Sequence, residues 1–350
     1  MLILYTILAQ KYIYIFSPIT FLIESRYFFH SQVTFSLYNL LMRINIKFTT
    51  ILITLLLISS STTAHATEFT YVDVSNQLYT YESMIEDMIQ LASGHEDIMS
   101  FEAIATTVGG RNVWLIKFGN LNAENKIFIT ASIHAREYMT SQLVMRMLEE
   151  YVLNFDVPRA DGTTYRQIYD SVCFYILPMV NPDGVTLSQF SGNNQIKANA
   201  NGVDLNRNFP LGFGQGSPVS PVPSPCYYPG SSPFSEIETT AIATLLAQYD
   251  FVTCVNYHSM GNIIYYGAAT NSPEVNTACR NMAALVSSIN GYRIKYCGNA
   301  IGSLADYFGT VETIPSVTIE IGTANPVPIS QFTNIYNCNV PVWPVLAGFY

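Results

Sequence analysis

The first chemistry in the chain sits in Ile133-His134-Ala135-Arg136-Glu137. His134 can offer a neutral imidazole nitrogen and Glu137 a carboxylate oxygen from one short turn. Both are good donors for Zn²⁺, which in a catalytic site takes three protein ligands and leaves one position open to water. A third ligand and a base must then come from elsewhere. The chain has five histidines. His30 and His65 fall in N-terminal segments expected to be absent from the mature protein. His95 sits in the polar stretch Ser-Gly-His-Glu-Asp and reads as an ordinary surface residue. That leaves His258, which ends the apolar run 251–257 as His134 ends the run 126–133. Ligands in open α/β sheets gather at the carboxyl ends of strands. His134, Glu137 and His258 therefore complete a three-ligand zinc site. Glu320, in Val317-Thr318-Ile319-Glu320-Ile321, is a carboxylate in a buried strand, which is costly unless paired or functional. Beside a zinc-activated water it can serve as general base. A His-x-x-Glu tetrad alone arises readily by chance, so the weight lies on the set.

The elements that must position these groups are set by hydrophobic spacing. Residues 71–92 hold a helix-like segment, with Met84, Ile85, Met88, Ile89 and Leu91 near helical spacing. Residues 101–108 and 111–118 read as strands joined at Gly109-Gly110, a hairpin signal. A third strand, 126–133, delivers His134, and an amphipathic helix over 137–154 places Glu137 at its start. The buried strand 171–180 stops at Asn181-Pro182-Asp183-Gly184, where Pro and Gly predict a turn. Loops come next at 189–202 and 211–233, and then a helix over 235–248 with Ser235 as N-cap and Glu238 completing a capping box. Strands at 251–257, 262–266, 292–297 and 316–321 alternate with a helix at 274–290, a helical turn at 304–308 and a helical tail. Such alternation predicts an α/β layered fold with a largely parallel or mixed sheet.

Composition narrows the function classes. A net charge of −9 with no basic run argues against a nucleic-acid partner. Residues 42–66 read as a signal peptide: Arg43 and Lys47 are its positive start, 48–58 its apolar core and Ala64-His65-Ala66 its cleavage site. That core is shorter than the roughly 20 residues of a membrane-spanning helix. Residues 1–41 read as an over-extended start ahead of Met42, or else as an extra hydrophobic segment. Residues 67–350 then form a single catalytic domain that is secreted, extracellular or held in the cell envelope, and a monomer is expected. Six cysteines in an exported chain permit disulfides. Cys173 and Cys254 lie in strand-like runs and suit buried thiols equally well. No CxxC pair suggests a cysteine zinc site.

Five motifs occur in order: His-Ala-Arg-Glu (134–137), Asn-Pro-Asp-Gly (181–184), Asp-Leu-Asn-Arg-Asn-Phe (204–209), Asn-Tyr-His-Ser (256–259) and Thr-Ile-Glu-Ile-Gly (318–322). Together they resemble the zinc carboxypeptidase (carboxypeptidase A-like) family, in its bacterial exported branch, over essentially the whole chain from Tyr71 on. The resemblance implies a single α/β domain with a mixed, mostly parallel eight-stranded sheet flanked by helices. It implies one Zn²⁺ per chain on His134, Glu137 and His258, with Glu320 as general base. It also implies that Asn206 and Arg207 grip the substrate's terminal carboxylate and that Arg136 lines outer subsites. An arginine fork suits carboxylate binding.

Three positions depart from the family pattern. Where the family has an oxyanion-stabilising arginine, residues 191–202 offer only Lys197. The family's mobile tyrosine falls near Tyr296. The base of the specificity pocket is Ala305, so no acid is there to favour C-terminal Lys or Arg. The expected activity is hydrolysis of the C-terminal peptide bond of peptides. Similarity around 197–210 keeps open a γ-D-glutamyl–diamino acid peptidase acting on peptidoglycan stem peptides, although no wall-binding repeats are seen. An inactive peptide- or wall-binding protein is the third alternative.

Overall fold

The computed structural model describes residues 71–350, so the readings of 1–41 and 42–66 lie outside the described residues. Eight strands alternate with helices: β1 (Met99–Thr106), β2 (Asn112–Gly119), β3 (Asn125–Ala131), β4 (Val172–Leu177), β5 (Phe251–Ser259), β6 (Ile263–Tyr266), β7 (Arg293–Tyr296) and β8 (Ser316–Ile321). They form one sheet in the order β1-β2-β4-β3-β5-β8-β6-β7. The central block β4-β3-β5-β8 is parallel throughout. The β1–β2, β2–β4 and β6–β8 pairs are antiparallel, and the edge pair β6–β7 is parallel. The expected mixed, mostly parallel eight-stranded sheet is the one observed.

The central strands read as continuous apolar runs because helices cover both faces. β4, Val-Cys-Phe-Tyr-Ile-Leu, is buried at every position. On one face, helices α1 (Tyr81–Ala92), α2 (Met139–Leu153), α5 (Pro273–Asn290), α6 (Phe332–Asn339) and α7 (Val342–Ala347) supply Met88, Leu143, Leu148, Val286, Ile335 and Trp343 to one core. On the other, α4 (Ile237–Gln248) adds Ile242 and Leu245 to a core with Phe128, Leu177 and Cys254. Helix α3 (Pro182–Phe190) comes directly after β4. α5 shows how local sequence sets its limits. The Ser272 hydroxyl accepts from Val275 N at 3.2 Å, Pro273 opens the first turn, and Gly291 ends the helix at φ 74°.

The strand order creates the place for a site. From β3 the chain goes to β4 on one side, then returns to β5 on the other. Strand order therefore reverses between β3 and β5, and such a switch point opens a crevice at the carboxyl ends of the strands. β3 ends at Ala131, three residues before His134, and β5 carries His258.

Three local expectations need correction. Asn181-Pro182-Asp183-Gly184 is the start of α3, not a free turn. The Asn181 side chain caps it by accepting from Gly184 N at 3.0 Å, and Pro182 suits the first helical position. Helix α4 is capped at Glu236 and not at Ser235, whose hydroxyl donates to Glu236 Oε1 at 2.7 Å. The helix expected from 137 begins at Met139, and Glu137 lies in a short 3₁₀ turn, Ala135–Glu137.

Trp343 locks the helical layer to the site-bearing strand. It is fully buried, stacks on Phe174 at 5.2 Å, and its Nε1–H donates to Tyr257 Oη at 3.1 Å. Removing so large a buried ring costs about 3–5 kcal/mol. Trp343→Ala should therefore shift the urea midpoint strongly downward; a midpoint equal to wild type would show that this face is not closely packed.

Candidate metal centre and active site

The turn after β3 is shaped to aim two side chains at one point. Ser132 takes a left-handed backbone conformation, φ 50°, which a residue with a side chain holds only when its surroundings fix it. Here Ser132 N–H donates to Thr140 Oγ1 at 2.9 Å, and its hydroxyl lies 2.6 Å from that of Ser141. Ala135 N–H donates to Lys197 O at 3.0 Å, tying the turn to the 189–202 loop. Asn181 Nδ2–H reaches Ile133 O at 3.3 Å. Gly184 makes this crossing possible, since a Cβ there would meet Ala198 O at 2.5 Å.

Among the described residues, His134, Glu137 and His258 form a buried group able to hold a metal ion, their ligand atoms all within 4.8 Å of one another. His134 Nδ1 lies 2.9 Å from Glu137 Oε1 and 3.2 Å from His258 Nδ1. His258 Nδ1 lies 3.0 Å from Glu137 Oε2, which also accepts Ser259 N–H at 3.1 Å. Burial would push the Glu137 carboxyl up, but His134 and His258 outweigh it and hold it well below the usual carboxylate range. Two imidazole nitrogens and an ionised carboxylate turned toward one buried point suit a divalent cation, and this donor set fits zinc.

A fourth residue stands behind the ligands. His134 Nε2 faces Asp204 Oδ1 at 3.3 Å, close enough for charge attraction though off hydrogen-bond alignment. A carboxylate there favours the proton on Nε2 and leaves the Nδ1 lone pair for the metal. Asp204 is fully buried. Burial opposes its charge, but His134, then Arg207 and Lys197, hold its carboxyl below the ordinary range. Asp204 opens the 204–209 motif, yet nothing in its sequence neighbourhood hints at a partner at 134.

The structure also places the other expected residues. Parallel register sets Glu320 on β8 directly opposite His258 on β5, so both side chains leave the same face. Burial, with help from Glu137, pushes the Glu320 carboxyl up to about 7, against the attraction of His258, Lys197 and Arg136. Lys197 therefore sits within electrostatic reach of both Glu320 and Asp204, and its ammonium lies 5.4 Å from the centre of the Tyr227 ring. Arg207 Nη1 donates to Asn206 O at 2.8 Å, while its Nε is buried without a partner. Asn206 Oδ1 accepts Leu304 N–H at 3.0 Å, which sets Ala305 beside the Asn206–Arg207 pair. A Cβ at Gly302 would meet Arg207 O at 2.6 Å, so glycine permits this approach. Arg136 Nη1 donates to Gln195 Oε1 at 3.1 Å, and Gln195 Nε2 donates to Asn325 O at 2.9 Å. Gln195 and Asn325, which link Arg136 to Ser259 beside His258, carry no sequence signal. Tyr296 ends the edge strand β7, 42% exposed, with its ring against Tyr266 at 5.6 Å. All six cysteines are free thiols.

Sheet, switch point and a two-histidine, one-glutamate centre define a zinc-dependent hydrolase of the carboxypeptidase fold. The zinc carboxypeptidase (peptidase M14) family model matches residues 84–337, and the chain belongs to that family. It is 29% identical to gamma-D-glutamyl-L-diamino acid endopeptidase 1 of Lysinibacillus sphaericus over 299 residues, 78% of this chain and 73% of that protein. It is 26% identical to carboxypeptidase B of Astacus astacus over 234 residues, 61% of this chain and 74% of that protein. The crystal structure of thrombin activatable fibrinolysis inhibitor shares the fold, with a TM-score of 0.68 at 18% identity, covering 82% of this chain and 78% of that one.

The residues behind the centre can be tested in two ways. Loss of a partner to a metal-binding histidine typically costs 10–100-fold in metal affinity. Asp204→Asn should weaken zinc binding by about that factor in a chelator competition; unchanged affinity would remove Asp204 from the centre. The second test concerns the acids that pin the Lys197 loop. Asn199 Nδ2 donates to Glu236 Oε2 at 2.7 Å and to Glu238 Oε1 at 3.3 Å. Burial pushes the Glu238 carboxyl up to about 7, and the Glu236 and Asp183 carboxylates add to it. A carboxyl raised in the folded state contributes its stability below the unfolded pKa and loses it as pH rises toward 7. Glu238→Gln cannot ionise, so between about pH 5 and about pH 8 wild type should lose about 1–3 kcal/mol relative to it. Parallel melting curves for the two proteins would refute the assignment.

Proposed function

We propose that this protein is an exported, monomeric zinc peptidase that hydrolyses the bond preceding a C-terminal residue, with Glu320 as general base. One observation carries the reading. The segment that supplies Asp204 to His134 continues into Arg207, whose buried Nε has no partner, and this supports a role for Arg207 in holding a substrate carboxylate. Zinc, when held by His134, Glu137 and His258, supplies Lewis acidity toward the scissile carbonyl and water. Glu320 takes a proton from the attacking water and passes it to the leaving nitrogen. Its raised carboxyl suits both duties near neutral pH. Asn206 and Arg207 hold the carboxylate and so set the distance from the chain end to the scissile bond. Lys197 supplies positive charge toward the oxygen that becomes negative. Arg136 and Gln195 border the acyl side. The export reading rests on residues 42–66 of the sequence.

A second reading has specific support. The chain is similar over most of its length to a gamma-D-glutamyl-L-diamino acid endopeptidase. On that reading the acyl group comes from a γ-glutamyl carbonyl of a peptidoglycan stem peptide. In a stem tripeptide both readings describe release of a C-terminal residue, so the same grip serves each.

Zinc-loaded protein incubated with a peptide library and with muropeptides, products read by mass, separates the two. Loss of single C-terminal residues from ordinary peptides supports the first reading; cleavage confined to stem peptides supports the second. Glu320→Gln should retain zinc and lose at least about 100-fold in kcat. A variant that stays active would give the base to another group.

A further inference from the structure

Asn256 is a polar side chain that the metal centre does not use. It lies on β5 two residues before His258, and strand alternation puts both on the same face. It is 2% exposed. Its Oδ1 accepts from Thr130 Oγ1 at 2.8 Å and from Cys254 Sγ at 3.4 Å. Burial keeps the Cys254 thiol protonated, so it donates. These two donors fix the amide's orientation and turn Nδ2 away from them. Nδ2 is buried with no partner. An unmet buried donor is costly, and a bound acceptor would offset that cost.

The surroundings place that donor beside the reaction centre. Asn256 pairs in register with Thr318 as His258 pairs with Glu320. Thr318 is partly exposed while its strand neighbours Val317 and Ile319 are buried, so the face bearing Glu320 stays open at this deeper level. Ala305, on the segment bonded to Asn206, is also partly exposed and adds neither bulk nor charge. Two residues of strand put the Asn256 level about 6.6 Å below that of His258 and Glu320, the reach of an extended side chain.

We propose that Asn256 selects the released residue: its Nδ2–H donates to an oxygen acceptor, amide or carboxylate, at the end of that residue's side chain. The inference rests on the proposed release of a C-terminal residue. It goes further in naming the class released, residues such as glutamine, glutamate or a diamino acid bearing a distal carboxylate. Aliphatic side chains leave the amide unmet. A terminal ammonium presents a donor to a donor.

The test measures binding apart from turnover. Zinc-loaded Glu320→Gln protein is titrated by calorimetry with acylated dipeptides ending in Gln, Glu, Met or Lys, and wild type is assayed on the same set. Gln or Glu should bind about 10–100-fold more tightly than Met of similar length, because a site built for a hydrogen bond rejects the analogue lacking it. The comparison of Gln with Glu tells amide from carboxylate. Adding Asn256→Leu should bring Gln and Met to within about threefold. Asn256→Asp keeps the Thr130 and Cys254 bonds, replaces the donor with an acceptor, and should move the preference to Lys; it carries the test if Asn256→Leu fails to load zinc. Equal binding of Gln, Glu and Met, no dipeptide binding at all, or a preference unchanged in both Asn256 variants overturns the proposal. Preferential binding without wild-type turnover of any peptide would sink the hydrolytic reading and leave the Asn256 assignment standing. Turnover without preference does the reverse.

Discussion

A buried negative charge between two imidazoles is the constraint on which the rest of this structure depends. Isolated in the interior, the Glu137 carboxylate would cost several kcal/mol. Here His134 and His258 lie within 3.0 Å of its oxygens and the Ser259 amide donates to it. That arrangement holds only while two elements far apart in sequence stay in register. The left-handed turn at Ser132, the Ala135–Lys197 backbone bond and Asp204 behind His134 all fix the same geometry from different sides. The centre is therefore a product of the fold at the switch between β3 and β5, and no single segment contains it.

Much of this is legible in sequence because its physics is local or periodic. The strand over 316–321 has the bounds its sequence suggests, since Glu320 interrupts a strongly apolar run. β3 and β5 begin within a residue of where their apolar runs begin, but β3 stops at Ala131, two residues short of the expected end, and β5 continues through His258 to Ser259. The motif order supplies the sheet, and the central parallel block matches it. Where sequence misleads, a tertiary bond has won over local propensity. Ser235 with Glu238 three residues later is a fair capping box, but Asn199 claims both Glu236 and Glu238. Asn181-Pro182 suits a turn or a helix start equally, and the contact of Gly184 with Ala198 decides for the helix. Asp204 is invisible as a partner of His134 because the link joins positions seventy apart through side chains alone. Asn256 looks like one more polar residue in a motif. Only the missing partner on Nδ2, a property of packing, marks it out.

The same contrast explains which parts of the site match the family pattern and which depart. His258, Glu320, Thr318 and Asn256 sit on adjacent parallel strands, where the side-chain period is two. A slip of one residue in either strand would turn its members of the set to the opposite face and into the apolar core. Such positions are held by the register of the whole sheet. Lys197, Gln195 and Asn325 sit on loops tied down by a few hydrogen bonds. A loop can change length and still bring a positive charge to the same place, at a cost that grows only slowly with length. Charge acts over several ångströms and needs less exact placement than a ligand atom. The charge of Lys197 reaches both Glu320 and Asp204 from its loop. A strand position two residues below a metal ligand has no such freedom. A polar group there must meet a partner at hydrogen-bond distance or remain a standing cost.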